Sequence, residues 1–255
     1  MKNLNKSHYK LKIDLEKPDW KKVKEIKIID NKEMLFSISD KSNRIIVKPQ
    51  YFRQGLEYSL PECYCRGGVL LRLKKAADLL PAGYKLVIFD AWRPTEVQLT
   101  LFDRYKEKLL RKHPDKSEKA INKLTEQFVA IPSDNAKHPS PHITGGAVDL
   151  TIANAQGIFL DMGTEFDENT KKSVTNFLEK RLAKKGKLSP KEEDILYNRR
   201  LLYNIMKAAG FSNYYYEWWH YDYGNQLWAF YNKTQAFYGK CVFKLNSHFA
   251  FDVMD

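Results

Sequence analysis

Ser140-Pro141-His142-Ile143-Thr144-Gly145-Gly146-Ala147-Val148-Asp149 is the stretch on which the reading of this chain turns, because it sets an imidazole and a carboxylate seven residues apart across a Gly-Gly break. In an unbroken strand side chains alternate with period two, so His142 and Asp149 would point to opposite faces. Gly145 and Gly146 can take backbone angles closed to other residues, which lets the chain turn before a strand predicted over Ala147 to Ile152. In that strand Val148, Leu150 and Ile152 face a core. Ala147, Asp149 and Thr151 face the other way, so the carboxylate looks outward into a site.

A second stretch, Tyr216-Glu217-Trp218-Trp219-His220-Tyr221, places Glu217 and His220 three residues apart. The aromatic density of Tyr214 to Tyr223 predicts a strand, in which that offset again separates the two faces. A bulge or sharp bend between Glu217 and His220 is therefore expected. Two histidines and one carboxylate form a zinc-type ligand set with a fourth position open for water, and Glu217 is spare to act as base.

These motifs, with Met162-Gly163-Thr164-Glu165-Phe166-Asp167 and Asp90-Ala91-Trp92-Arg93-Pro94, resemble those of the zinc D-alanyl-D-alanine dipeptidases, including the enzymes of vancomycin resistance. The resemblance runs from about Val69 to about Gly239. It implies an α+β fold of the hedgehog/D,D-peptidase type, with a small, mainly antiparallel sheet carrying the zinc site and several flanking helices. It implies one Zn2+ per chain on His142, Asp149 and His220, and Glu217 as general base. Arg93 would steady the oxyanion and Asp167 would bind the free amino group of a small dipeptide. Taken alone, the Arg93 segment reads as a structural pair with Asp90 or a cap on a carbonyl; the family signature reverses that order. Ser140, two residues before a ligand, is a substrate-binding candidate that could reach either the substrate or Asp149. Family members commonly carry a Tyr and an Asn-Phe pair lining the pocket, where this chain has Ile46 and Tyr51-Phe52 in the nearest comparable places.

The implied reaction is hydrolysis of D-alanyl-D-alanine or a related dipeptide. A zinc D,D-carboxypeptidase acting on longer peptidoglycan peptides shares the Ser-x-His and Asp pattern and is the nearer rival. Met162 to Asp167 and the double Trp favour the dipeptidase, since an anionic anchor for an ammonium group would fix substrate length. A non-catalytic binding module of the hedgehog kind is the other class, but it has no need of Glu217 and Arg93 together.

Composition sets the frame. At 255 residues and 43% hydrophobic, the chain suits one well-buried domain. The expected single peptidase domain covers 1–255, with 1–60 as an N-terminal strand and loop elaboration and 225–255 as a C-terminal extension. The net charge of +12 is spread over helix faces without a nucleic-acid motif, so no nucleic-acid partner is expected. No stretch approaches the roughly 18 apolar residues of a membrane span. Met1 to Lys24 shows no apolar signal region, and Cys63, Cys65 and Cys241 show no paired metal spacing. The expected compartment is the cytoplasm, with the periplasm as the alternative had a leader been removed. The three thiols read as buried or incidental rather than as a second metal site.

Along the chain, two short strands are predicted around a turn at Asp30-Asn31-Lys32, and a third at Ile45 to Val47 before an irregular loop over Tyr51 to Tyr64. Helices are predicted over Val69 to Leu80, from Pro94 to about His113, and over Lys116 to Ala130. A buried strand is expected at Lys85 to Phe89. Ser189-Pro190-Lys191-Glu192 is a capping box opening a helix that Gly210 closes, with Ile195, Leu202, Met206 and Ala209 on its inner side. His138 reads as a solvated loop residue and His248 as structural. The aromatic tail from Leu227 is expected to close over the core or flank the cleft.

Overall fold

A computed structural model describes residues 10–126, 133, 135–168 and 170–242. Asp19 opens its first element by accepting from the N–H groups of Lys21 and Lys22, and α1 (Trp20–Glu25) buries Val23. This corrects the strand predicted there: the cap satisfies donors that only a helix leaves free. Ile28 alone retains a strand-like bridge, to Ala236. The turn at Asp30 to Lys32 is present, with Lys32 at φ 59°. Beyond it β1 (Leu35–Ser37) pairs not with its predecessor but with β3 (Tyr64–Arg66). Between them lie β2 (Ile45–Val47) and a short helix, α2 (Gln50–Arg53), inside the segment expected to be irregular.

The helix α3 (Gly67–Asp78), the strand β4 (Lys85–Asp90) and the helix α4 (Thr95–Lys112) follow as their patterns predict, except that Pro94 stands at the cap rather than inside α4. α5 (Glu118–Thr125) starts from a Ser117 side chain that accepts from the Ala120 N–H; the rest of the helix predicted to Ala130 lies outside the described residues. β5 (Ala147–Ala153) is buried at every position. α6 (Phe177–Lys185) and α7 (Pro190–Ala209) come next, and α7 has the reciprocal Ser189–Glu192 cap and a left-handed Gly210. β6 (Ser212–Asn213), β7 (His220–Asp222) and α8 (Gln226–Asn232) complete the order.

Five strands form one sheet in the order β2-β4-β5-β7-β6, antiparallel except for β2 on β4. On one face Leu86, Ile88, Val148, Leu150 and Ile152 meet Leu73 and Ala77 of α3 and Leu202 and Met206 of α7 in the main core. On the other face Val87, Phe89 and Ala153 pack with Ile46 and Phe166. Asp149 and Thr151 share that second face, which is the floor of the cleft. α8 and the following chain close one side: Tyr238 is fully buried, and Tyr223 packs edge-on against Trp228 and Phe237. His248 lies outside the described residues. No described helix is long and apolar enough to cross a membrane.

Candidate active site

Sheet register assembles the centre. Asp149 on β5 sits directly opposite His220 on β7, and on its other side the β4 partner, after a bulge, is Asp90. Cross-strand partners stand on one face about 4.5–5.5 Å apart at Cβ, so the register alone brings these groups together. His142 arrives from a 3-10 turn, His142–Thr144, ended by Gly145 at φ 68°. The two glycines act differently from each other: Gly145 supplies the left-handed angle, whereas a Cβ on Gly146 would lie 2.5 Å from the Tyr223 carbonyl oxygen. One turns the chain and the other lets β5 approach its neighbour.

Glu217 does not lie on a strand. Residues 214–219 form two consecutive tight turns, in which the Glu217 N–H bonds Tyr214 O at 3.2 Å and the His220 N–H reaches Glu217 O at 3.4 Å. The bend between Glu217 and His220 is present, but the strand predicted from Tyr214 is confined to His220–Asp222. The aromatic side chains that suggest a strand pack all the same: Trp219 lies edge-on to Phe166, and Trp218 donates to Thr164 Oγ1 at 2.8 Å.

His142 Nε2 is 3.2 Å from His220 Nδ1, which is 3.1 Å from Asp149 Oδ1, and His142 Nε2 is 3.5 Å from Asp149 Oδ2. The outer ring nitrogens are engaged elsewhere. His142 Nδ1 lies 2.6 Å from the Ala91 carbonyl and 3.2 Å from Asp90 Oδ2, and His220 Nε2 lies 3.2 Å from Asp222 Oδ1. A carbonyl can only accept and an ionised carboxylate can only accept, so each ring carries its proton on the outer nitrogen. The two inner ring nitrogens and a carboxylate then converge inside a buried site. Such a cluster calls for positive charge among its members, supplied by a ring proton or by a metal ion. Among the described residues these three form the one group whose ligand atoms all fall within 4.8 Å, so they could hold a metal ion.

The surrounding charges follow the same logic. Burial lowers the His220 imidazole, but Asp222 and Asp149 outweigh it and carry the ring well above its usual value. Burial raises Asp149, but His142 and His220 hold it below the usual carboxylate range. Arg93, buried, donates from Nη2 and Nε to Asp90 Oδ2 at 2.8 and 2.9 Å, and from Nη1 to Gln98 Oε1 at 2.6 Å. Its Nη2 also reaches Asp149 Oδ2 and Tyr51 OH, each at 3.4 Å. The structural pairing with Asp90 is present, and the same guanidinium lines the cleft beside Asp149.

Asp167 and Glu217 line the same cleft. Asp167 adopts φ 62°, accepts from Tyr51 OH at 3.3 Å and remains open to the cleft. The protein around it pushes its carboxyl up to about 6, with Arg93 opposing. Glu217 Oε2 is 3.9 Å from His220 Nδ1, and burial pushes this carboxyl up to about 8, again with the carboxylates Asp149 and Asp167 adding and His220 opposing. Ser140, buried in the cleft lining, accepts from the Ser133 N–H at 3.2 Å. His138 is half-buried against the cleft wall rather than solvated.

Residues 63–240 match the peptidase M15 family, described as D-Ala-D-Ala dipeptidase. The chain belongs to this family. A Synechocystis D-alanyl-D-alanine dipeptidase is 33% identical over 76% of this chain and 86% of that protein. Dipeptidases of the same name from Escherichia coli and Enterococcus faecalis are each 29% identical, over 65% and 60% of this chain respectively and 69% of each relative. The solved structure of the LdcB LD-carboxypeptidase is a remote match, with TM-score 0.36 and 20% identity over 90% of this chain and 93% of that one. Family membership makes the chain a hydrolase of the metallopeptidase type.

Residue patterns do not mark every contributor. Asp222, fully buried, holds His220 from behind and is itself bonded by Asn225 Nδ2. The signal is present in the sequence, since residues two apart on a strand share a face. Tyr51 stands out in the sequence only as a departure from the family pattern, yet its hydroxyl joins Arg93 to Asp167. The thiols of Cys63 and Cys65 are buried and shifted up by that burial, and they stay protonated and apart from the metal chemistry.

Proposed function

We propose that this chain hydrolyses D-alanyl-D-alanine, or a closely related dipeptide, with one zinc ion on His142, Asp149 and His220. The observation that carries the reading is the convergence of two imidazoles on one buried carboxylate. Zinc suits two nitrogens and one oxygen, and when bound it supplies a Lewis acid and lowers the pKa of its water to about 7.

The protein's own groups divide the remaining work. Asp167 takes the substrate ammonium as a charge-assisted hydrogen bond, which orients the peptide and discriminates against blocked or extended N-termini. Arg93, pre-aimed by Asp90 and Gln98, presents fixed positive charge where the carbonyl oxygen becomes negative. Glu217 accepts the proton of the attacking water and delivers it to the departing amine. A carboxyl raised by burial to about 8 is suited to do both, and its pKa would be lower with a cation held by the neighbouring ligands. Ser140 lines the cleft and remains a substrate-binding candidate.

Turnover of a panel of D,D-, L,D- and L,L-dipeptides by the zinc-loaded protein tests the reading. Hydrolysis of D,D-dipeptides with a free amino group, and little of N-acetyl dipeptides or tripeptides, is the expected result. Preference for longer peptides would shift the assignment to a carboxypeptidase.

A further inference from the structure

The cleft is far larger than the proposed substrate. Its volume is about 1050 Å³, at the top of the range for pockets that enclose drug-sized molecules, whereas an extended dipeptide spans only about 7 Å. The space beyond the metal ligands is walled by α4, which turns Arg104, Lys108 and Lys112 into the cleft at intervals of four residues. At 1.5 Å per residue these three cations form a stripe about 12 Å long on one helical face.

The other basic side chains of the same helix provide a control. Lys106 and Arg111, which do not line the cleft, hold Glu118 at 2.8 Å and Glu107 at 3.4 Å. Arg104, Lys108 and Lys112 are exposed and have no ion pair among the described residues. Lys24 of α1 adds a fourth positive charge to the lining. Of the lining carboxylates, Asp149, Asp167 and Glu217 belong to the floor, and Glu168 accepts from the Glu165 N–H at 3.1 Å. Glu126, at the end of α5, is the one that remains to answer four cations. Leu101 and Tyr105 of the same helix line the cleft together with Asp167, so the stripe and the ammonium anchor share one cavity.

We propose that the α4 wall is a subsite for a second substrate carboxylate, so that the cleft takes short peptides bearing an acidic side chain in preference to their neutral amide counterparts. The proposal rests on the peptidase reading above and deepens it. Like charges lined up along one wall of a cleft add their fields, raising local anion concentration and association rate in a salt-dependent way.

The test uses the zinc-loaded full chain and two matched pairs, D-Ala-D-Glu against D-Ala-D-Gln and D-Glu-D-Ala against D-Gln-D-Ala, with D-Ala-D-Ala alongside. At low ionic strength the acidic member of at least one pair is expected to show kcat/KM about ten-fold above its amide partner, a ratio that shrinks several-fold at physiological salt. In the triple variant Arg104→Gln, Lys108→Gln, Lys112→Gln the ratio falls toward one, and in Lys108→Glu it inverts. Ratios near one in both pairs for the wild type, or a ratio that survives in the triple variant, overturn the proposal. Calorimetric affinities for the same peptides separate the two readings. Preferential binding of the acidic members without any turnover would sink the peptidase reading and keep the subsite, and turnover of D-Ala-D-Ala with no acidic preference would do the reverse.

Discussion

The groups proposed to hold the metal and those proposed to meet the substrate sit within a few ångströms of one another but are built in different ways. Asp149 and His220 are opposed residues on adjacent buried strands, and His142 is fixed by a turn with a left-handed glycine. Asp167, Glu217 and Tyr51 stand on loops or a single short helical turn, and Asp167 is open to the cleft. The first set is positioned by sheet register, which a one-residue slip would destroy wholesale. The second is positioned by a few side-chain hydrogen bonds, each worth only about 0.5–1.5 kcal/mol net. Lesions in the first set should therefore be all-or-none, and lesions in the second graded.

The largest effect should come from His142→Ala. It removes one of three ligands and leaves Ala91 O without its donor, so zinc content is expected to drop from about one equivalent to near zero, with activity lost. Added zinc should raise the melting temperature of the wild type, because a ligand that binds only the folded state stabilises it by mass action, and should do so far less for the variant. An unchanged zinc content would end the ligand assignment.

Glu217→Gln separates the two sets most cleanly. With the ligands untouched, zinc content should stay near one equivalent while kcat falls by about 10²–10⁴, the range for a lost general base. Loss of zinc and activity together would show that Glu217 belongs to the metal set after all.

These expectations bear on what the residue pattern can and cannot disclose. The clustering of His142, Asp149 and His220 is legible because imidazole and carboxylate side chains at defined offsets around a glycine turn leave few arrangements that satisfy both alternation and burial. The helix capped by Ser189 and Glu192 is legible because its cap is local. The Tyr214 to Trp219 turns are not: aromatic residues favour strands by fitting a half-buried surface, and a tight loop packed against Phe166 offers the same surroundings. Trp20 to Glu25 reads as a strand because Val23 and Ile26, three apart, satisfy a helix as well as the approximate alternation that suggests a strand; the Asp19 cap is the discriminating signal. Asp222 is hidden by the attention that His220 draws, although a His-x-Asp spacing on a strand puts both on one face.

Asp222→Asn tests how far the rigid set extends outward. An amide can present its NH₂ to His220 Nε2, which forces the opposite tautomer and turns the metal-facing lone pair into an N–H. A loss of about 10- to 100-fold in zinc affinity is expected, as for other partners that orient a ligand from behind. Titration with a competing chelator measures it, and activity at saturating zinc should recover in large part. An affinity equal to wild type would mean that His220 is held by β7 alone.

Asp167→Asn belongs to the graded set. A charge-assisted hydrogen bond contributes about 1.5–3 kcal/mol, so kcat/KM on free dipeptides should fall by about 10- to 100-fold. N-acetyl dipeptides, which have no ammonium to lose, should be affected little. Equal losses on both classes would make Asp167 a fold residue.

Tyr51→Phe should give the smallest change and the finest test of the comparison. The hydroxyl donates to Asp167 Oδ2 at 3.3 Å and accepts from Arg93 Nη2 at 3.4 Å, both long for such bonds, while the ring packs on Phe166 and beneath the Arg93 guanidinium. Phenylalanine keeps the packing and removes only the link between the oxyanion donor and the ammonium anchor. Arg93 retains Asp90 and Gln98, so its aim should hold, and kcat should change less than about three-fold, under the roughly 0.5–1.5 kcal/mol of an ordinary hydrogen bond. Asp167 loses a bond that favours its ionised form, so its carboxyl, already near 6, should move up. The sign follows: protonated Asp167 cannot pair with the ammonium, so KM should rise by a few-fold on the acid side of neutrality and converge on wild type at higher pH. A KM change independent of pH would mean that Tyr51 shapes the pocket by bulk rather than by holding the anchor charged, and that the loop-borne set is stiffer than its hydrogen bonds suggest.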